Sequence, residues 1–131
     1  MLRKLVGALA TAAVVIFPAA AAARTVSITA SSNGKTVHLQ RGDTLIVTLR
    51  EVKDGGLNWR TLVAPAPAVL STVSSRYVAP NLPPGSVGGE GKRVNRYRAA
   101  GAGRTRVRLG EYGPSRGAKP VRRFTLTVVV D

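Results

Sequence analysis

Cysteine is absent from the 131 residues, histidine occurs once, and only six residues are acidic. Each scarcity removes a class of chemistry. Without cysteine there is no disulfide framework, thiol nucleophile, zinc ribbon or iron–sulfur site. One His and six scattered carboxylates leave little material for a metal or acid–base site, and no cofactor is expected. Aromatic residues make up 5% of the chain, a poor supply for a base-stacking platform. Helical i, i+3, i+4, i+7 stripes are missing outside the N-terminal segment. Positive charge is what the chain has in excess: 20 Lys+Arg and a formal net charge of +14.

The first 23 residues read as an export signal. Arg3 and Lys4 give a short positive start, Leu5 to Phe17 is an uncharged apolar run, and Pro18 and an Ala tract follow. Ala21-Ala22-Ala23 supplies the small residues a signal peptidase reads, which places cleavage between Ala23 and Arg24. The alternative is retention as an N-terminal anchor, but the second half of the segment is mostly Ala and a span needs about 20 strongly apolar residues. No membrane span is expected after signal removal. The product is an exported protein, secreted or periplasmic. Removing residues 1–23 takes away two basic residues and leaves 18 against 6, a mature charge of +12.

Residues 24–131 carry one modest core and a composition suited to strands, with frequent Val, Thr, Gly and Pro. Period-2 alternation recurs in Thr25–Ala30, Lys35–Gln40, Arg93–Ala99, Arg104–Gly110 and Val121–Val130, and Leu45–Leu49 is denser, like a strand buried in a sandwich. Asn33-Gly34, between the first two runs, is a strong hairpin signal. Trp59–Val63 reads as another strand. Pro65 and Pro67 exclude a central strand near them, with short extended pieces at Val69–Ser74 and Tyr77–Ala79. The stretch from Pro80 to Gly91 is a long loop. About eight short strands with turns between them predict an all-β fold, a single immunoglobulin-like β-sandwich behind the signal peptide.

No catalytic constellation emerges. A Ser nucleophile needs a base within reach, and His38 reads as a half-exposed strand residue. Asp43, Glu51, Asp54, Glu90 and Glu111 are separated by loops. Gly88-Gly89-Glu90-Gly91 leads into a strand, whereas a phosphate loop leads into a helix N-terminus. The chain reads as a non-enzymatic binder and a monomer.

The basic stretch from Lys92 to Arg123 holds eleven Lys/Arg against Glu111 alone. Arg104, Arg106 and Arg108 alternate with Thr105, Val107 and Leu109 and project from one sheet face. Arg96 and Arg98 extend that patch if they lie on a paired strand. One reading is a coat that keeps the sandwich soluble and blocks edge pairing. The other is a site for a polyanion such as an acidic envelope polymer. Nucleic acid is not expected, since only Tyr97 lies within the patch to stack on a base.

Three Gly-containing loops remain: Asp54-Gly55-Gly56-Leu57-Asn58-Trp59, Ser86–Gly91, and Tyr112-Gly113-Pro114-Ser115-Arg116-Gly117. Alternate loops of such a sandwich gather at one end, where a rigid scaffold presents them. Trp59 itself reads as a core Trp packed between sheets. From Gly42 onward the order of pieces resembles the chagasin family, secreted inhibitors of papain-type cysteine peptidases. The resemblance rests on Gly42-Asp43-Thr44-Leu45, a Gly loop closed by Trp59, Val87-Gly88-Gly89-Glu90-Gly91, and Gly103-x-x-x-Val107-x-Leu109, followed by an aromatic-x-Pro loop and a closing apolar strand.

That resemblance implies inhibition through three loops. The family's first loop reads Asn-Pro-Thr-Thr-Gly-aromatic-x-Trp, and of it Val52 to Trp59 keeps only Gly56 and Trp59. The second, Val-Gly-x-Gly-Gly, is matched by Val87, Gly88, Gly89 and Gly91 but not at Glu90. Of Arg-Pro-Trp in the third, Gly113-Pro114-Ser115 keeps only Pro114. The implied partner is a papain-type cysteine peptidase, contacted by residues 54–59, 87–91 and 112–116. The mature chain is expected to begin at Arg24. Intact mass spectrometry of the exported protein checks this, and a product retaining residues 1–23 selects the anchored alternative.

Overall fold

The computed structural model describes residues 22–86, 88–115 and 119–131, with Asp54 described by its main chain. The strands are β1 (Thr25–Ile28), β2 (Thr36–Leu39), β3 (Thr44–Glu51), β4 (Asn58–Val63), β5 (Leu70–Val78), β6 (Gly91–Ala99), β7 (Gly103–Tyr112) and β8 (Arg122–Val130). They form two four-stranded sheets, in the order β1-β3-β6-β5 and β2-β8-β7-β4. The architecture is an immunoglobulin-like sandwich.

Side-chain alternation builds the core. Leu45, Val47 and Leu49 of β3 and Tyr97 and Ala99 of β6 point inward from one sheet. Val107 and Leu109 of β7 and Phe124, Leu126, Val128 and Val130 of β8 point inward from the other. Fully burying one large apolar side chain contributes roughly 1.5–3 kcal/mol. The intervening residues Thr44, Ile46, Thr48 and Thr125, Thr127, Val129 face outward and are only partly covered.

Three expectations need correction. The Asn33-Gly34 turn does not close a hairpin, because β1 runs parallel to β3 in one sheet and β2 parallel to β8 in the other. The segment between them is a crossover containing one 3-10 turn, Ala30–Ser32. It is tied down on β8: Asn33 Oδ1 accepts from the Thr125 N–H at 2.8 Å, and the Gly34 N–H donates to the Thr125 carbonyl at 2.7 Å. The second correction concerns the stretch after Pro67. The two short pieces expected there are one strand, β5, at a sheet edge, where a bulge at Val73 shifts the register. An edge strand accommodates such a bulge because only one side is paired.

Third, Arg96 and Arg98 do not extend the patch of Arg104, Arg106 and Arg108. β6 and β7 are consecutive but belong to opposite sheets, so their outward residues cover opposite outer faces. Tyr97, expected within the patch, points inward at 2% exposure, and burial pushes its hydroxyl up to about 12.

Asp43 fastens the N-terminal edge. Its carboxylate is 2% exposed and accepts from the main-chain N–H of Arg24 at 3.0 Å, the N–H of Gln40 at 2.8 Å and Arg24 Nε at 3.2 Å. Those two main-chain donors, helped by the Arg24 guanidinium, hold the carboxyl below its ordinary value of 3.8. A carboxyl depressed on folding stabilises the fold above its unfolded value, and that contribution is lost as pH falls through the lower folded value. Asp43→Asn should therefore lower the melting temperature by several degrees at pH 7. The gap between variant and parent should close as the pH is taken below the ordinary carboxylate range. Melting curves at neutral and acid pH check both halves.

Candidate functional site

Strand register carries three connections to one end of the sandwich. Glu51, the last residue of β3, lies opposite Gly91, the first of β6. Val78, at the end of β5, lies opposite Lys92. In the second sheet Asn58 opens β4 opposite Tyr112, and Glu111 lies opposite Arg122 at the start of β8. The segments 52–57, 79–90 and 113–121 therefore leave from the same end.

Glu51 joins the two sheets at this end. Its carboxylate is 1% exposed. Oε1 accepts from the Trp59 main-chain N–H at 2.6 Å, and Oε2 accepts from Arg93 Nε at 3.1 Å, with Arg93 Nη2 at 2.8 Å. The Trp59 indole N–H in turn donates to the Arg50 carbonyl at 2.8 Å. Both ends of the first loop are thereby fixed, although they belong to different sheets.

Between those ends the chain makes a 3-10 turn, Lys53–Gly55. The Gly55 and Leu57 N–H groups donate to the Val52 carbonyl, and the Gly56 N–H donates to that of Lys53. Gly56 closes the turn with φ +73°, in the left-handed region that favours glycine. A Cβ there would also lie 3.1 Å from the Pro114 ring, so the first and third loops touch at this point. The second loop is joined to the end of β3, at the root of the first, by an ion pair between Arg50 and Glu90. Lys53 Nζ, 5.1 Å from the Tyr77 ring centroid, adds a contact with the end of β5.

The residues singled out from the sequence divide into tip and base. Gly55, Gly56, Gly89, Glu90, Pro114 and Ser115 are exposed at the tips, with Leu57, Gly88 and Gly113 half-buried beside them. Asp54 lies in the first loop by its main chain, while Val87 and Arg116 fall outside the described residues. Gly91 is buried at the root of β6. A Cβ on it would overlap the Tyr77 ring, so glycine here permits close packing of β5 on β6. Trp59 is half-buried against the core and forms one wall of a shallow hollow with Leu49, Phe124, Asn33 and Arg122. Tyr112 holds Arg60 over its ring, 5.1 Å from the centroid.

Sequence reading did not single out Glu51, Arg93 or Tyr77 as parts of this end. One signal was available for Glu51. It continues the inward parity of Leu45, Val47 and Leu49, and a carboxylate at a core position demands a cationic partner. Among the described residues no group of three or more His, Cys, Asp and Glu side chains could hold a metal ion.

The chain matches the family model described as chagasin family peptidase inhibitor I42 over residues 38–128. No curated protein sequence matches it. Among solved structures, the cysteine protease inhibitor EhICP2 from Entamoeba histolytica is similar, with 23% identity and a TM-score of 0.73 over 84% of this chain and 98% of that one. The solution structure of amebosin shares 24% identity and a TM-score of 0.64, covering 83% of this chain and 98% of that one. PbICP-C, solved in complex with falcipain-2, shares 14% identity and a TM-score of 0.60, covering 82% and 92%. At these identities the structures show the shared fold. The family match extends over most of the sandwich, and the chain belongs to the chagasin family of peptidase inhibitors, proteins that inhibit and do not catalyse.

Proposed function

We propose that this protein is an exported, reversible inhibitor of papain-type cysteine peptidases. Residues 54–59 enter the substrate cleft, while 87–91 and 112–116 grip its two sides. The observation that carries this reading is the convergence of three connections on one end, with the first loop pinned at both ends through Glu51 and Trp59. A loop already ordered loses little conformational entropy on docking. Its internal turn also keeps the main chain from extending as a cleavable substrate would. Two structural relatives, a cysteine protease inhibitor and an inhibitor solved in complex with falcipain-2, support the class of target.

The tips differ from the family pattern where affinity is usually concentrated. Ser115 stands where the family's third loop carries Trp, and among the described residues no aromatic ring lies at a tip. An aromatic hot spot contributes about 2 kcal/mol or more, so inhibition should be weaker than in a member with the full motif. Ser115→Trp should then tighten inhibition of papain by about 30-fold. Steady-state inhibition constants for parent and variant check this. Absence of inhibition by both at tens of micromolar would leave family membership standing and remove the papain-type target.

Glu51→Gln tests the clamp. It keeps a carbonyl for the Trp59 amide but removes the charge opposite Arg93. Breaking a buried pair in this way should lower stability by about 3 kcal/mol, measured by denaturant unfolding. If the pinned loop is what inhibits, the inhibition constant should rise in the fraction that remains folded.

A further inference from the structure

The outer face of the β2-β8-β7-β4 sheet carries arginines that form no salt bridge among the described residues. Arg104, Arg106 and Arg108 project from β7 as one exposed column, with Val107 and Leu109 buried behind it. Same-face neighbours along a strand lie roughly 7 Å apart. On β8 the register places Arg123 opposite Gly110 and sets Thr125 and Thr127 beside Arg108 and Arg106. Thr36 of β2 continues the row at Thr127, and Arg60 of β4 lies opposite Gly110. Among the described residues no salt bridge engages these arginines, although the exposed Asp131 lies just past the end of β8 on the Arg104 side. Glu111 points inward at 6% exposure, Glu51 and Asp43 are buried, and Glu90 pairs with Arg50 on the other sheet.

Closely spaced guanidinium groups repel one another, and an unscreened field of one sign concentrates polyanions at the surface. The form of the face narrows the polyanion. Thr36, Thr125 and Thr127 line the arginine column with hydroxyls that can donate and accept. Between Arg108 and Arg123 lies a depression whose remaining walls are Leu62, Val63 and Thr125. Leu62 and Val63 are exposed there, at 37% and 55%. An acidic saccharide ring offers the complement: a C–H face for Leu62 and Val63, hydroxyls for the threonines and an anionic substituent for the guanidinium groups. Nucleic acid fits less well, because Tyr97 faces the core and Tyr112 is covered by Arg60. That leaves no open aromatic platform for bases.

We propose that this face binds a linear acidic polysaccharide, through Arg104, Arg106, Arg108 and Arg123, with the chain lying along β7. The column runs away from the loop end. Arg104 is eight residues along β7 from Tyr112, roughly 27 Å, so a bound polymer leaves the three loops open. The protein could thus be held on an acidic matrix while its loops stay free. This surface does not depend on the inhibitory reading, and its test involves no peptidase.

The purified chain should be retained on heparin, which carries sulfate and carboxylate, and on polygalacturonate, which carries carboxylate alone. Retention should weaken as salt rises. Arg104→Thr/Arg106→Thr/Arg108→Thr should lower affinity about tenfold or more at low salt, summing three exposed charge contacts. Arg96→Thr/Arg98→Thr, on the opposite face, should change it little, and circular dichroism confirms that both variants keep the strand fold. Binding to heparin alone narrows the ligand to sulfated chains. Undiminished retention of the triple variant, an equal loss in the β6 variant, or equally tight binding of duplex DNA would each overturn the proposal.

Discussion

A carboxylate at 1% exposure is tolerated in a small sandwich only if its charge is matched and its lone pairs are occupied. Glu51 meets both conditions by drawing on both sheets. Arg93, from the neighbouring strand, supplies the charge, and the Trp59 amide, from the facing sheet, takes the other oxygen. The position of the first loop follows from this. Arg50 and Glu51 stand on one side of it and Trp59 on the other, so residues 52–58 are a short bridge between fixed points. The second and third loops are then placed by ordinary register and by two contacts, Glu90 on Arg50 at the root of that bridge and Pro114 on Gly56 within it. Removing the charge at Glu51 thus acts on loop geometry as well as stability.

Much of this was legible from alternation alone. The inward residues of β3, β7 and β8 follow from period-2 spacing, because a strand with one face on a core has no other way to place its side chains. The three loops could be located by glycine and by the single Trp. Strand partnership was harder to read. Asn33-Gly34 carries the local chemistry of a hairpin, yet the turn is held by Thr125 and Arg123 of β8, 92 and 90 positions from Asn33. No short-range pattern contains that contact. β6 and β7 likewise follow each other in the chain with matching arginine alternation, and only the sheet order shows that their outward faces are opposed. The tips were read more accurately than the base, since a tip is a local feature and the Glu51–Arg93–Trp59 clamp is not.

The distribution of acidic residues explains why the surface is more basic than the net charge suggests. Asp43, Glu51 and Glu111 are all buried, and each has an arginine partner: Arg24, Arg93 and Arg122. Half of the six acids are therefore engaged inside the fold. The arginines of the outer faces are left with few counter-charges, and those of the β7 column form no salt bridge among the described residues. The same economy governs the loop end, where Glu90 answers Arg50 and the exposed tips of the first and third loops are mostly glycine, proline and serine. Charge and recognition are thus separated in space. In the proposed reading the loops would present shape to a cleft, and the sheet face charge to a polymer. Since β7 contributes the arginine column at one end and Tyr112 and the third loop at the other, a single strand sets the distance between the two surfaces. That distance is fixed by β-strand rise and by the β7–β8 register, not by any hinge. An anchored molecule would therefore hold its loops at a constant height above whatever holds it.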